Sequence, residues 1–182
     1  VPAIDRSVVS TDNEQIAGEA ERAGISAPFR RNKKLSGDRI CDHDVLVDAL
    51  VTMEVFDSCR YDIILMLQPT SPFRTGKQIM DCLEMLSDGA WDAVWTVSLT
   101  DTKAHPLKQL KLSEKCSLGY YDPAGAQIIA RQQLEPVFHR NGVAYAFTRD
   151  CLLNQNTILG KRTGALIIDE YCVNIDTYFD LD

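Results

Sequence analysis

The sequence predicts an α/β fold in which a mostly parallel sheet is covered by helices on both faces. Residues 61–67 end in an almost continuous apolar run, which is typical of a strand buried on both faces. Residues 44–58 and 76–88 flank this run and place apolar side chains at helical spacing. Because further strand-like and helix-like segments alternate in the same way, we expect one three-layer domain over residues 1–182.

The composition argues against several classes of protein. The chain has 182 residues and a net charge of −7, which disfavours non-specific binding to nucleic acid. No apolar run has the length of a transmembrane helix, and no signal peptide is visible, so we expect no membrane contact. The three histidines lie too far apart to form a metal-ligand set. The six cysteines contain no C-x-x-C pair, which favours reduced thiols in a cytoplasmic protein.

The N-terminal part of the chain is predicted to hold a short strand, a helix and a long polar connection. Residues 7–10 form the strand, Thr11 and Asp12 provide the helix cap, and Gly24 ends the helix. The apolar side chains of this helix are Ile16, Ala17, Ala20 and Ala23. Residues 25–43 form the connection, and its basic cluster either attracts phosphates or lies in solvent.

Two longer helices are expected to supply most of the core. The first, over residues 44–58, has one apolar stripe made of Val45, Leu46, Ala49, Leu50, Met53 and Phe56. The second, over residues 76–88, directs Ile79, Met80, Leu83 and Leu86 inward and ends at Gly89. A strand over residues 93–97 follows and continues the alternation.

The alternation breaks between residues 101 and 140. This segment has mixed polarity, short strand-like pieces and a predicted turn at residues 122–125. It is long for a connection inside a compact domain, which indicates a function of its own. Strands over residues 141–147 and 165–168, separated by a short helix at 149–154, complete the predicted elements.

A rigid polar loop is predicted directly after the buried strand at residues 61–67. Gln68, Ser71 and Arg74 are polar, and Pro69 and Pro72 restrict the backbone between them. In open α/β sheets, ligands bind at the carboxyl ends of the strands, so this loop is a candidate site. The alternative is a proline-rich turn whose serine and threonine cap the next helix.

The loop sequence Gln-Pro-Thr-Ser-Pro-Phe-Arg, at residues 68–74, closely resembles a motif of the cytidylyltransferases that activate acidic sugars. The chain is most similar to the CMP-N-acetylneuraminate synthetases, and the CMP-Kdo synthetases are more distant relatives. Further matching segments lie at residues 10–12, 131–137 and 141–145. The resemblance implies a three-layer Rossmann-like fold of the nucleotide-diphospho-sugar transferases, with residues 101–140 as a dimerisation arm.

The resemblance also implies an activity: transfer of CMP from CTP to an acidic 2-keto sugar such as N-acetylneuraminate, with release of pyrophosphate. Mg²⁺ is the implied cofactor, and the implied assembly is a homodimer. The implied catalytic residues are Gln68 and Asp176, and Gln68 would also contact the acceptor sugar. The implied substrate-side residues are Ser71, Arg74, Arg131 and Tyr145, of which Ser71 and Arg74 could instead support the loop.

On the nucleotide side, the resemblance implies roles for Ser10 and Asp12, although Asp12 could simply cap the helix. Asn174 and Asp176 would hold the metal, because residues two apart in a strand point to the same side. The family normally has two carboxylates at this place, whereas this chain has an amide and a carboxylate. Arg131 could be an exposed surface arginine, and Tyr145 is expected to lie half in the core and half in the pocket wall.

The family carries its triphosphate-binding loop before the strand that corresponds to residues 7–10, and the sequence shows no glycine-rich basic loop. We therefore expect an N-terminally incomplete domain with little synthesis from residues 1–182 alone. Two alternatives follow: a non-catalytic homologue that serves as a sugar-binding or dimerisation module, and a CMP-Kdo synthetase.

Overall fold

The structure, a computed structural model, describes residues 3–181 and contains a four-stranded and a two-stranded sheet. The α-helices are α1 (Glu14–Arg22), α2 (Asp42–Asp57), α3 (Gly76–Ser87) and α4 (Arg149–Leu153). The strands are β1 (Ile63–Met66), β2 (Ala93–Leu99), β3 (Leu110–Leu112), β4 (Leu118–Tyr120), β5 (Phe138–Thr148) and β6 (Thr163–Ile167). None of these helices is both long and apolar enough to cross a membrane.

The larger sheet has the order β1-β5-β2-β6 and is mixed. β5 pairs antiparallel with β1 and β2, whereas β2 and β6 are parallel. β1, β2 and β6 therefore run in one direction and β5 runs against them. Three of the four strands run in one direction, in agreement with the predicted mostly parallel sheet. The sequence did not predict that β5 lies between β1 and β2 and runs in the opposite direction. Its direction follows from the connection: Leu99, at the end of β2, pairs with Phe138, at the start of β5.

Helices cover both faces of this sheet, as the sequence predicts. On one face, α3 packs Ile79, Leu83 and Leu86 against Val94 and Ala144. On the other face, α2 and α4 cover the alternate residues of the same strands, namely Ala93, Tyr145 and Phe147. Because neighbouring strand residues point to opposite faces, the apolar run of β5 fills both core layers.

The helix α3 begins and ends close to the predicted residues. Thr75 caps it: its side chain accepts from Gln78 N at 3.2 Å, and the Gln78 side chain accepts from Thr75 N at 2.9 Å. This reciprocal pair satisfies two backbone N–H groups at the first turn. The cap also fixes the point at which the loop after β1 becomes a helix.

The predicted strand at residues 7–10 is reduced to a single bridge. Val8 bridges to Ser26 in parallel, and Val9 N donates to Ser26 O at 2.9 Å. Ser7, Val8 and Ser10 line a cavity together with β1, and among residues 3–181 the segment forms no further strand bridge. The cap of α1 also differs, because Asn13 accepts from the N–H groups of Gln15 and Ile16 at 2.8 and 3.2 Å.

The helix α2 is less buried than its apolar stripe predicts. Leu50 and Met53 lie in the core, but Phe56 is 59% exposed. Val45 and Ala49 face the same cavity that residues 7–10 line. The stripe is therefore only partly covered, because the space between α2 and the N-terminal segment is open.

The segment at residues 101–140, called the insertion, contains a separate small hairpin. Its last three residues, 138–140, belong to β5. β3 and β4 pair antiparallel, and 3₁₀ turns lie at Pro106–Lys108, Pro123–Gln127 and Arg131–Gln133. His105 is buried and joins the two ends of the insertion. Its Nδ1 accepts from Leu107 N at 3.2 Å, so its Nε2 donates to Glu135 O at 3.1 Å.

All six cysteines are free thiols. Cys82 and Cys151 are core residues, and burial raises the pKa of each to about 11. Both are therefore small apolar core residues rather than reactive thiols, as the sequence predicts.

Candidate functional site

The loop after β1 is held by its own side chains. Ser71 N donates to Gln68 O at 3.2 Å, which closes a tight turn. The Ser71 side chain is buried, and its Oγ donates to Asn141 O at 3.0 Å. Arg74 Nη2 donates to Gln68 O and, at 3.4 Å, to Gly142 O. The loop is thus attached to β5 by two side chains, and its conformation is fixed before any ligand binds.

Arg74 is directed into the protein rather than toward solvent. Burial lowers the pKa of its guanidinium from the usual value, and its Nε has no hydrogen-bond partner among the described residues. Arg74 and Ser71 therefore support the loop in this structure. Gln68 differs from both, because it is among the residues that line a cavity and its side chain makes no hydrogen bond with the described part of the chain.

Residues 141–144, which hold this loop, form a bulged turn within β5, where the pairing with β2 shifts register, and this turn is anchored to β2. Asn141 Oδ1 accepts from Thr96 Oγ1 at 2.7 Å and from Val143 N at 3.2 Å, while its Nδ2 donates to Ser98 Oγ at 3.1 Å. All of its side-chain atoms are thus used in a buried network. Such fully satisfied networks are rigid, since each group would be left unpaired if the turn moved.

Tyr145 lies in the core. Its side chain is 1% exposed, and its hydroxyl accepts from Gly142 N at 2.7 Å. The ring packs edge-on against Trp95, and Arg140 stands over both rings at 5.1 and 5.5 Å. Burial raises the pKa of the Tyr145 hydroxyl. The expected pocket-wall position is therefore not seen, and Tyr145 acts on the site through Gly142.

The C-terminal segment brings Asn174 and Asp176 to the same loop. Ile175 N donates to Thr70 O at 2.8 Å, although residues 173–177 form no strand. Asn174 Nδ2 donates to Asp176 Oδ2 at 2.7 Å, and Asn174 Oδ1 shares the proton of Ser71 Oγ, at 3.4 Å, with the closer Asn141 O. The two side chains therefore meet as predicted, but the amide turns its nitrogen toward the carboxylate.

This donor set fits Mg²⁺ only in part. Mg²⁺ prefers hard oxygen ligands and is commonly held by one or two carboxylates together with substrate phosphates. Asp176 is exposed and supplies one such carboxylate. Asn174 would have to turn its amide over before both residues could offer an oxygen to one ion. Among residues 3–181 no group of three or more His, Cys, Asp or Glu side chains is placed to hold a metal.

A cavity of about 940 Å³ lies beside β1, which is an edge strand of the sheet. Gln68 and Ser10 line it. Arg31, which belongs to the basic cluster predicted in residues 25–43, also lines it. Arg31 N donates to Thr11 O at 2.9 Å, and its buried Nε has no partner among the described residues. A cation is thus placed next to the Ser-Thr-Asp segment.

Of the nine predicted site residues, Gln68 and Ser10 line this cavity and the other seven do not. Asp12 is exposed and neither caps α1 nor lines the cavity. Arg131 is exposed on the insertion and also lies outside the cavity lining. The structure therefore gathers Gln68, Ser71, Arg74, Asn174 and Asp176 around one loop, with Ser10 across the cavity from Gln68.

No family model matches this chain. A post-translational flagellin modification protein B of Campylobacter coli is 29% identical over 175 residues, which cover 96% of this chain and 71% of that protein. An N-acylneuraminate cytidylyltransferase of Streptococcus agalactiae is 31% identical over 94% of this chain, but the match covers only 40% of that relative. A CMP-N,N'-diacetyllegionaminic acid synthase of Campylobacter jejuni is 26% identical, with coverages of 96% and 71%.

Among solved structures, a CMP:2-keto-3-deoxy-manno-octonic acid (Kdo) synthetase complexed with CTP superposes with a TM-score of 0.66 at 18% identity. The match covers 100% of this chain and 79% of that one. The fold is therefore the three-layer α/β fold of that synthetase, as predicted. The sequence matches add that the chain is similar to proteins named as cytidylyltransferases or CMP-sugar synthases of acidic sugars, in agreement with the resemblance found in the loop motif.

Proposed function

We propose that this chain forms part of an enzyme that transfers CMP from CTP to an acidic 2-keto sugar and releases pyrophosphate. The observation that carries the proposal is the loop at residues 68–74: it lies at the carboxyl end of β1, is locked to β5, and leaves Gln68 unbonded at a cavity. The activities for which two similar proteins are named, N-acylneuraminate cytidylyltransferase and CMP-N,N'-diacetyllegionaminic acid synthase, support the same chemistry. N-acetylneuraminate is the sugar we propose first, with legionaminate-like and Kdo-like acids as the alternatives.

The residues at the site suit this reaction, in which a sugar oxygen joins the α-phosphorus of CTP. Catalysis of this type relies on positioning and on neutralising charge. The Gln68 amide both donates and accepts, so it can orient a sugar hydroxyl. Arg31 supplies a guanidinium on the side of Ser10, where we place the nucleotide. Asp176 would hold Mg²⁺, which when bound would offset the charge of the phosphates.

We also propose a homodimer formed through the insertion at residues 101–140, and a cytoplasmic location. The insertion exposes large apolar side chains at Leu112, Leu118 and Ile129, of which Ile129 is 92% exposed. Leu112 and Leu118 pair across the hairpin of β3 and β4, and exposed apolar patches mark interaction sites. The free thiols are compatible with a reducing compartment.

The test is pyrophosphate release by the complete product of the gene with CTP, Mg²⁺ and each of the three acids. We expect turnover with one acid on the order of 1–10³ s⁻¹. Gln68→Ala should lower kcat/KM for that acid at least about tenfold, because a hydrogen bond to the acceptor is lost. Gln15→Ala, at an exposed position on α1, is the matched control and should change nothing. The absence of release with every acid would refute the proposal.

A second candidate function is a sugar-binding module without turnover, and the charges of the cavity favour it. The lining contains three arginines and four aspartates (Arg6, Arg31, Arg60, Asp5, Asp38, Asp42 and Asp62). Arg6 is paired with Asp57 at 3.3 Å and Arg60 with Asp62 at 3.2 Å, so little positive charge is left for a triphosphate. Titration calorimetry tests this candidate, because a binding module would bind the acidic sugar but would not bind CTP.

A further inference from the structure

We propose that Gly142 is a positioning residue, because the absence of a side chain there lets Gln68, Ser71 and Asn174 converge on one turn. The inference rests on the proposed function, since it concerns how Gln68 is presented to the acceptor. A Cβ at residue 142 would lie 2.4 Å from Ser71 Oγ and 2.8 Å from Gln68 Oε1. It would also lie 3.6 Å from Asn174 Oδ1. Glycine is thus required here by space as well as by its φ of +77°.

The backbone of the turn cannot move aside to relieve such a contact. Gly142 N donates to Tyr145 Oη at 2.7 Å, and Gly142 O accepts from Arg74 Nη2 at 3.4 Å. The preceding residue, Asn141, is fixed by its hydrogen bonds to Thr96 and Ser98. The turn is therefore held from the core, from the loop and from β2. A methyl group at residue 142 has to displace the side chains around it.

Among the surrounding side chains, that of Gln68 would be displaced most easily by a methyl group at residue 142. Ser71 is 2% exposed and bonded to Asn141 O, so its hydroxyl can turn only by losing that bond. Gln68 has no hydrogen-bond partner in the described chain, and it borders an open cavity. A methyl group at residue 142 would therefore push the Gln68 amide toward the space that we assign to the acceptor. Gly142 sets the position of that amide without touching the substrate.

The chain offers two matched controls for the strain of a substitution. Gly160 has a φ of +67°, and a Cβ there would lie 2.8 Å from Asp92 Cβ and 3.1 Å from Cys151 Sγ. Gly89 has a φ of +77°, but a Cβ there would meet nothing closer than Ser87 O at 4.0 Å. Gly160→Ala therefore reproduces strain and crowding away from the site, and Gly89→Ala reproduces strain alone.

The experiment compares Gly142→Ala, Gly160→Ala and Gly89→Ala in the complete protein by melting temperature and by pyrophosphate release. We expect all three to melt earlier, but only Gly142→Ala to raise the KM for the acidic sugar, by about tenfold, with the KM for CTP unchanged. In a Gln68→Ala background, which also removes one crowded contact, Gly142→Ala should raise the sugar KM no further. The inference would be overturned if Gly142→Ala left the KM for the sugar unchanged, or if Gly160→Ala raised it equally. Additive effects on this KM in the double variant would overturn it as well.

A readout that does not depend on activity separates this inference from the proposed function. The side-chain amide signal of Gln68 in a ¹H–¹⁵N spectrum is assigned by its loss in Gln68→Ala. We expect Gly142→Ala to shift this signal, and the two control variants to leave it in place. If the wild-type protein releases no pyrophosphate but the signal shifts, the proposed function fails and the positioning role stands. If the signal does not shift, the positioning role is refuted.

Discussion

Asn174 stands where the resemblance leads us to expect the second of two carboxylates. Its amide donates to Asp176 and accepts from Ser71, so it links the C-terminal segment to the loop after β1. Replacing the amide with a carboxylate removes the donor and places two negative charges side by side. Such a pair repels unless a cation lies between its members.

We therefore predict that Asn174→Asp lowers the Mg²⁺ concentration needed for half-maximal rate, by about three- to tenfold, because hard cations prefer charged oxygens. Asp176→Ala should nearly abolish activity. Asn154→Asp is the matched control, because Asn154 makes the same 2.7 Å bond to Asp150 away from the site. Titrations of rate against Mg²⁺ check these expectations. An unchanged Mg²⁺ dependence, together with an active Asp176→Ala, would make the pair structural.

At the scale of single residues, the sequence predicts position better than role. The motif located Gln68, Ser71 and Arg74 on one loop, but it could not show that Arg74 turns inward to bond backbone carbonyls. Arg31 was predicted only as a member of a basic cluster, because its position beside Ser10 depends on a contact with Thr11, which is distant in sequence. The roles of these residues as ligands remain predictions.

At the scale of elements, Glu54 joins three parts of the fold. Its Oε1 accepts from Arg149 Nε at 2.8 Å and from Tyr61 N at 3.1 Å, and its Oε2 accepts from Arg149 Nη2 at 3.0 Å. The carboxylate thus connects α2 to the start of β1 and to the first residue of α4. The hydrogen bonds from Arg149 hold the pKa of Glu54 below its usual value.

A group whose pKa is lowered by folding stabilises the folded state above its usual pKa, and this contribution is lost as the pH falls through the lowered value. We predict that Glu54→Gln lowers the melting temperature by about 2–4 °C at pH 7, equivalent to about 1 kcal/mol. The difference from wild type should begin to shrink as the pH falls below the usual glutamate pKa of about 4.3, and it should disappear only below the lowered value. Thermal unfolding at several pH values measures this effect.

The control for this prediction is Glu14→Gln. Glu14 forms a similar two-bond pair with Arg30, at 2.8 and 2.9 Å, but its side chain is 75% exposed. Solvent screens such a pair, so the change in melting temperature should be clearly smaller. An equal decrease of the melting temperature in both variants would show that linking three elements adds no stability beyond that of the ion pair itself.

The helices were predicted from apolar spacing to within a few residues, because that signal is local. The direction of β5 and the loss of the strand at residues 7–10 were not predicted. Both depend on which segments become neighbours: β5 is reversed by the insertion, and residues 7–10 find only Ser26 as a partner. No periodicity within a single segment carries that information.

At the scale of the whole molecule, the insertion supplies the surface for the proposed dimer. Leu110, on β3, is 51% exposed, and Leu159, outside the insertion, is 52% exposed. We predict that Leu110→Glu weakens the dimer, because a charge is placed in an apolar contact, whereas Leu159→Glu does not. Light scattering over a range of protein concentrations measures the mass of each variant. A monomeric wild-type protein, or equal masses in all three, would contradict the proposal.

The ends of the insertion lie next to each other. Thr100 N donates to Val137 O at 2.9 Å, directly beside the pair formed by Leu99 and Phe138. To the sheet, everything between these residues is therefore one elaborate hairpin loop, whose length hardly affects the strands that it joins. The segment can therefore be replaced by another sequence without a change in the sheet. Proteins with this fold could acquire new partners there while the loop that carries Gln68 is retained.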